Sequence, residues 1–304
     1  MFRIICDSSC DIKVQEKVYS EENYAETERS EYTNQWEKLY PPEIDLAIVP
    51  IYIYNSDHSY YDNVYLDIHK MLDELEGYEG RTYSCCPSVM SWVDAFSEKK
   101  ENYVITLTGG ISGTYNSACT ARDIFREDYP DARICVIDSL STGPEMKLIV
   151  DKIIEMKKQG MTFAQVSEAI TAYVKEVRMF LLLRSASHLL DNGRIHKLDR
   201  NVLDVLRYHV LAFFTNEGKI EVLKKLRGEK KTISGSIREM ERLGYAGGKV
   251  RITYVEQAGF ALAYGRSLRK RYPHASIEYG EAGGLCSFYM ERGGLMIAFE
   301  AALS

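Results

Sequence analysis

The sequence predicts an α/β protein of two domains, the first a doubly wound, mainly parallel sheet and the second a mixed sheet with helices. Three observations predict it. Short apolar runs alternate with helix-patterned segments through the first half of the chain. Those runs are apolar at successive positions, as in strands buried on both faces. Beyond about Gly160 the pattern changes, with a hairpin signal at Asn216-Glu-Gly218 between two strand-like runs. A length of 304 residues suits two cores better than one. The expected division is 1–160 and 161–304.

The elements follow in order. Phe2-Arg-Ile-Ile-Cys6 reads as a buried strand ending at Asp7-Ser-Ser9. Residues 13–44 are polar and rich in Glu and Tyr, and read as helix plus loop. Residues 46–54 read as one strand, with Pro50 marking an edge or a bulge. Residues 66–75 have helical spacing. After Pro87-Ser88, the residues Val89, Trp92, Val93 and Phe96 mark one helix face. Strand 103–107, helix 114–126, strand 133–137 and helix 144–158 complete the first half. The second half reads as helix 162–176, strand 178–183, and a helix end over 189–195 stopped by Gly193. The hairpin follows, then helices 232–244 and 257–271 with strands 249–255, 275–280 and 294–300.

Composition excludes several classes. Hydrophobic content of 45% and charged content of 27% describe an ordinary globular chain. A net charge of -6 argues against nucleic-acid binding, which needs clustered Lys and Arg. The basic stretch at 224–231 reads as a solvated surface after the hairpin. No apolar run reaches membrane-spanning length and no signal peptide is legible, so a cytoplasmic protein without an integral membrane segment is expected. The seven cysteines are odd in number and lack C-x-x-C, which favours reduced thiols over zinc or a disulfide framework. Cys6, Cys119 and Cys135 read as core residues, and the adjacent Cys85-Cys86 pair in a loop is the one to test for reactivity.

The stretch Leu107-Thr-Gly-Gly-Ile-Ser-Gly-Thr-Tyr-Asn-Ser-Ala118 runs from a strand through three glycines into a helix. Glycine lets a ligand approach the backbone, and helix N-termini favour anions. Neither nucleotide pattern fits, because no lysine follows Gly113 and the glycine spacing is wrong for a dinucleotide loop. A strand-to-helix turn capped by Ser112 explains the residues equally well. Asp7-Ser8-Ser9 and Asp138-Ser139 read as side chains closing turns onto backbone amides. The six histidines lie in no catalytic motif and there is no G-x-S-x-G. No cofactor or metal is expected. Arg194 after Gly193 suits either an anion or a helix C-terminus. The glycine- and aromatic-rich stretch Gly283–Gly294 reads as a bend or as a wall of the ligand site.

Taken together these stretches resemble the DegV family of fatty-acid-binding proteins. The resemblance is carried by Asp7-Ser-Ser-Cys-Asp-Ile12, Val49-Pro-Ile51, Tyr61-Asp62, Ser84-Cys-Cys-Pro-Ser88, Ser112-Gly-Thr-Tyr-Asn-Ser-Ala118, Asp138-Ser139, Gly193-Arg-Ile195 and Leu226-Arg-Gly228, in family order over almost the whole chain. It implies a long-chain fatty acid buried in an apolar tunnel, its carboxylate near the domain junction. Carried over, the carboxylate-binding positions are Ser84, Ser112, the Gly113 and Thr114 amides, and Tyr289. Arg194 and Cys85 are implied as head-group or partner contacts. The resemblance further implies that the chain is not itself an enzyme but presents its ligand to a separate fatty acid kinase. Two departures stand out: S-C-C-P-S replaces the family's T-S-Q-P-S, and Tyr289 stands where a histidine is usual. The stretch between Ile12 and Val49 also looks longer than usual.

Two other readings compete with the lipid carrier. One is an enzyme or binding protein for a small carboxylated or phosphorylated metabolite, using the same Gly/Ser loop. The other is an interaction protein with a degenerate pocket.

Overall fold

A computed structural model describes residues 1–12, 40, 44–195 and 208–301. The chain opens with β1 (Phe2–Asp7) and a single 3-10 turn at Ser8–Cys10. Then come β2 (Asp45–Val49), β3 (Tyr52–Tyr54), β4 (Ser59–Tyr61), α1 (Ile68–Leu75), β5 (Tyr83–Cys85) and α2 (Val89–Ala95). β6 (Glu101–Thr106), α3 (Thr114–Asp128), β7 (Ile134–Asp138) and α4 (Gly143–Lys158) follow. Next are α5 (Phe163–Tyr173), β8 (Val177–Leu183), α6 (Ser187–Asp191), β9 (Tyr208–Phe214), β10 (Ile220–Arg227) and α7 (Glu229–Arg242). The described chain closes with β11 (Lys249–Tyr254), α8 (Ala258–Arg271), β12 (Ser276–Glu281), α9 (Gly284–Met290) and β13 (Leu295–Glu300).

The four-strand sheet β2-β1-β6-β7 is parallel throughout. The six-strand sheet β10-β9-β8-β13-β11-β12 is mixed, with β11 and β12 parallel and the other neighbours antiparallel. Period-2 alternation sorts each strand between two cores. In β1 and β6, Ile4, Cys6, Tyr103 and Ile105 face a central core, while Ile5 and Val104 face α2 and α3. In the larger sheet, Met179, Leu181, Leu183, Met296 and Ala298 face that same central core. Phe180, Leu182, Ile297 and Phe299 face the layer of α7 and α8. The two sheets therefore share one interior. Double-sided burial is why their strands read as unbroken apolar runs.

α4 runs through this interior, and every residue from Gly143 to Val150 is buried. It packs on β6 of the first sheet and on β8, β11 and β13 of the second. Such a helix must bury its polar residues too. Lys147 is fully buried, with its Nζ 3.0 Å from the Tyr40 hydroxyl and 3.4 Å from Asp151. Arg251 on β11 meets Asp151 at 3.1 Å and Glu278 at 2.9 Å. Burial pushes the Lys147 ammonium down, and the Asp151 and Glu278 carboxylates oppose that shift.

Glu145 lies two residues earlier on α4. Burial pushes its carboxyl up to about 8, against weaker opposing effects of Ser141 and Arg178. The folded chain therefore holds this proton between about pH 4.5, the ordinary value, and pH 8, while the unfolded chain releases it. Stability falls as pH rises through that window. Glu145→Gln removes the penalty. Relative to the parent, its urea stability should rise from pH 5 to pH 8.5 by on the order of a few kcal/mol. Parallel pH curves for the two proteins would refute the assignment.

Three expectations need correction. The single strand over 46–54 is two strands in two sheets, broken at Pro50, which has no N–H for a ladder. β3 pairs with β4 and β5 in a small antiparallel sheet, and the sequence reading had placed neither β4 nor β5. Cys119 is half-buried and outside the core clusters, and Cys135 is half-buried but packs against the central core, whereas Cys6, Cys10 and Cys286 are buried. Helix 162–176 is shorter than expected, starting after a Thr162–Gln165 capping box and ending at Tyr173. The helix-plus-loop reading of 13–44 falls largely outside the described residues.

Candidate functional site

The turns that close the first sheet's strands are built from their own acids. Asp7 accepts from the Ser9 amide at 3.0 Å and the Leu107 amide at 2.5 Å. Its burial outweighs these hydrogen bonds and pushes its carboxyl up to about 6. The Ser8 hydroxyl accepts from the Ile51 amide at 3.0 Å, just beyond Pro50. Asp138 accepts from the Gly109 amide at 3.1 Å and the Leu140 amide at 3.0 Å. These groups close turns, as the sequence reading favoured.

Three of the glycine loop's amides are also used internally. Gly109 donates to Asp138, Gly110 donates to the Thr108 hydroxyl at 3.0 Å, and Thr114 donates to the Ser112 hydroxyl at 3.3 Å. Gly110 is glycine for packing: a Cβ there would run into the backbone carbonyl oxygens of Glu217 and Gly218 in the β9–β10 turn. Thr108 donates to the Gly218 carbonyl at 3.2 Å, so the loop rests on the second sheet's hairpin. The helix N-cap is Gly113 rather than Ser112, although Ser112 does receive the Thr114 amide.

Beyond this loop lies a cavity of about 300 Å³. Its apolar walls include Leu107 and Ile111 from the loop, Leu181 of β8 and Met296 of β13. Leu189 of α6, Phe214 and Ile220 of the hairpin, and Leu285 and Met290 of α9 complete them. The polar lining comprises Ser84, Cys85, Cys86, Ser112, Gly113, Thr142, Arg194, Cys286 and Tyr289.

Most of the expected site residues thus converge, although they span more than 200 positions of sequence. Ser84 Oγ and Tyr289 Oη are 2.9 Å apart. Burial raises the Tyr289 phenol above its ordinary value, opposed by the hydroxyl of Ser84 and the guanidinium of Arg194. Tyr289 therefore stays protonated at neutral pH and remains a donor. Ser112 Oγ is 2.8 Å from Thr114 Oγ1. Thr114 is the exception among the expected residues: it is buried behind Ser112 and outside the cavity lining, with its amide already used.

Gly283–Gly294 resolves as both a structural and a wall element. α9 is held at its start by Asp11, which accepts from the Gly283 amide at 2.8 Å. Asp62 accepts from Gly284 at 2.8 Å and Leu285 at 3.0 Å. A Cβ on Gly284 would lie 2.6 Å from Asp62 Oδ1, so only glycine fits. These acids aim Tyr289 and Met290 at the cavity.

Sequence reasoning picked out Cys86 only as one of a pair of loop thiols, and did not single out Thr142 or the apolar walls from β8, β13 and the hairpin. Only the period-2 pattern of β8 and β13 hinted at an inner face, and nothing in it marks a void. His69, His188 and His209 engage Glu256, the Phe288 carbonyl and Thr232. Among the described residues no group of three His, Cys, Asp or Glu could hold a metal, and no helix is long and apolar enough to cross a membrane.

The chain resembles several proteins of known structure over nearly its full length. A DegV family protein from Eubacterium eligens, loaded with heptadecanoic acid, is 34% identical with a TM-score of 0.88, covering 99% of this chain and 100% of that one. The Streptococcus pneumoniae Fatty Acid Kinase (Fak) B3 protein, loaded with linoleic acid, is 31% identical with a TM-score of 0.85 and the same coverage. A DegV domain-containing protein of Streptococcus pneumoniae is 33% identical over 301 residues, covering 98% of this chain and 99% of that protein. Residues 37–302 match the family described as "Uncharacterised protein, DegV family". The chain therefore belongs to the DegV family.

Proposed function

We propose that this protein binds one long-chain fatty acid and presents its carboxylate to a separate fatty acid kinase. The observation that carries the reading is an apolar cavity with Ser84, Ser112, Tyr289 and Arg194 on its polar side. Acyl burial supplies affinity at about 0.8 kcal/mol per CH₂. The hydroxyls and the guanidinium satisfy a carboxylate that apolar surroundings would otherwise drive to protonate. Bound fatty acids in the two solved relatives support the same use of the fold.

In this reading residues 1–160 contribute Ser84 and Ser112. Residues 161–304 contribute Tyr289, Arg194 and most of the acyl wall. The chain performs no chemistry itself. In the kinase-bound complex a carboxylate oxygen attacks the terminal phosphorus of ATP, a new P–O bond forms and ADP leaves. The acyl phosphate carries one more negative charge than the acid did. The internal use of the Gly109, Gly110 and Thr114 amides weighs against a small phosphorylated metabolite held by the loop.

Solvent extraction of the purified protein followed by mass spectrometry should release one fatty acid per chain. The stripped protein should rebind palmitate or oleate. No acyl species after extraction, and none after incubation, would refute the reading. Thermal stabilisation by inorganic phosphate with no effect of fatty acids would favour the metabolite site instead.

A further inference from the structure

The clasp around the acyl cavity matches a single negative charge. Ser84, Ser112 and Tyr289 are neutral donors, and Arg194 is the one cation among the described lining residues. A carboxylate needs no more. A phosphoryl head carries about two negative charges at pH 7, so its second charge calls for another cation.

On its solvent side the cavity continues into a second compartment of about 420 Å³. The two share Ile111, Ser112, Gly113, Arg194 and Ile220. Lys219 of the β9–β10 turn is exposed at the rim. Lys219 and Arg194 are the only charged residues among the described lining, and both are cations. Neither has an ion-pair partner among the described residues; Arg194 donates to the Asn192 carbonyl at 2.9 Å. Asp138, behind Gly109, is committed to the Gly109 and Leu140 amides. The backbone of Lys219 is fixed, because its carbonyl accepts from the Thr215 amide at 2.8 Å. The bond from Thr108 to the Gly218 carbonyl ties this turn to the glycine loop. Gly113, the N-cap of α3, also lines the compartment, so the helix dipole adds positive potential.

We propose that this compartment is a phosphomonoester subsite and that Lys219 is its specificity-determining residue, favouring a phosphorylated acyl head over the free acid. The inference rests on the fatty-acid reading for the acyl part. A carboxylate among Ser84, Ser112 and Tyr289 leaves Lys219 unused. A phosphoryl group extends past Arg194, which lines both compartments, toward the Lys219 ammonium. A lysine suits that group as a mobile point charge. Its place at the rim makes the effect moderate and sensitive to salt.

The test titrates the full, lipid-stripped chain calorimetrically with hexadecyl phosphate, with palmitate and with inorganic phosphate. Lys219→Met should weaken hexadecyl phosphate about tenfold and palmitate less than about twofold. Lys219→Arg should restore most of the loss, and added salt should narrow the gap between Lys219→Met and the parent. The exposed position spares the fold, which circular dichroism checks. Equal losses for the two lipids, or no loss for hexadecyl phosphate, overturn this proposal alone. Inorganic phosphate binding as tightly as hexadecyl phosphate would make this a site for free phosphate and overturn the acyl-head assignment. A parent chain that binds neither lipid overturns the proposal together with the fatty-acid reading.

Discussion

Ser112→Trp should abolish measurable palmitate binding while leaving the fold intact. Ser112 is only partly buried and lines the cavity, so an indole there enters the void and spares the packed core. Displacing about four methylenes of the acyl chain forfeits about 3 kcal/mol at about 0.8 kcal/mol each. That corresponds to a loss of at least about 100-fold in affinity. Ser112→Ala separates head-group from volume. It removes one hydroxyl donor and the acceptor of the Thr114 amide, and should cost about tenfold in affinity. Isothermal titration of lipid-stripped variants, with circular dichroism as the fold control, reads both. If the Trp variant is folded and binds palmitate like the parent, the acyl chain lies elsewhere. If it is folded and still supports the protein's cellular role, the interaction-protein reading gains.

Lys147→Met should be the most destabilising single change on α4. Its ammonium is shielded from water and stands within 4 Å of Asp151 and Glu278. Removing one partner of a buried ion pair strands the rest, typically costing about 3–5 kcal/mol. Arg251 still meets both carboxylates, so a loss near the lower limit, about 3 kcal/mol, is expected. Glu278→Gln in the Lys147→Met background should recover part of the loss, because it removes one of the stranded charges. A double-mutant cycle by urea denaturation measures this coupling. A Lys147→Met protein with the parent's midpoint would show that the network contributes little.

Much of the architecture was legible because local physics decides it. Ile4 to Cys6 and Val104 to Ile105 are buried on both sides of the parallel sheet, so they appear as unbroken apolar runs. α2 showed its face through Val89, Trp92, Val93 and Phe96, and Trp92 and Phe96 are indeed buried. The small sheet was not legible. β4 and β5 have three residues each, too few for periodicity to register, and they exist through pairing with β3.

The site divides in the same way. Residue types and their order pointed to Ser84, Ser112, Arg194 and Tyr289, because hydroxyls, a guanidinium and glycine turns carry recognisable chemistry. The sequence alone determined the α/β class, the alternating elements, the turn-closing acids and the family resemblance, all of which rest on neighbours within a few residues. Only the tertiary structure decided that Ser84 meets Tyr289 and that Gly110 serves the hairpin rather than a ligand. It also moved Thr114 behind Ser112 and left a void between the sheets. Those outcomes depend on contacts between segments 100 to 200 residues apart, and on volume left unfilled, which no local pattern records.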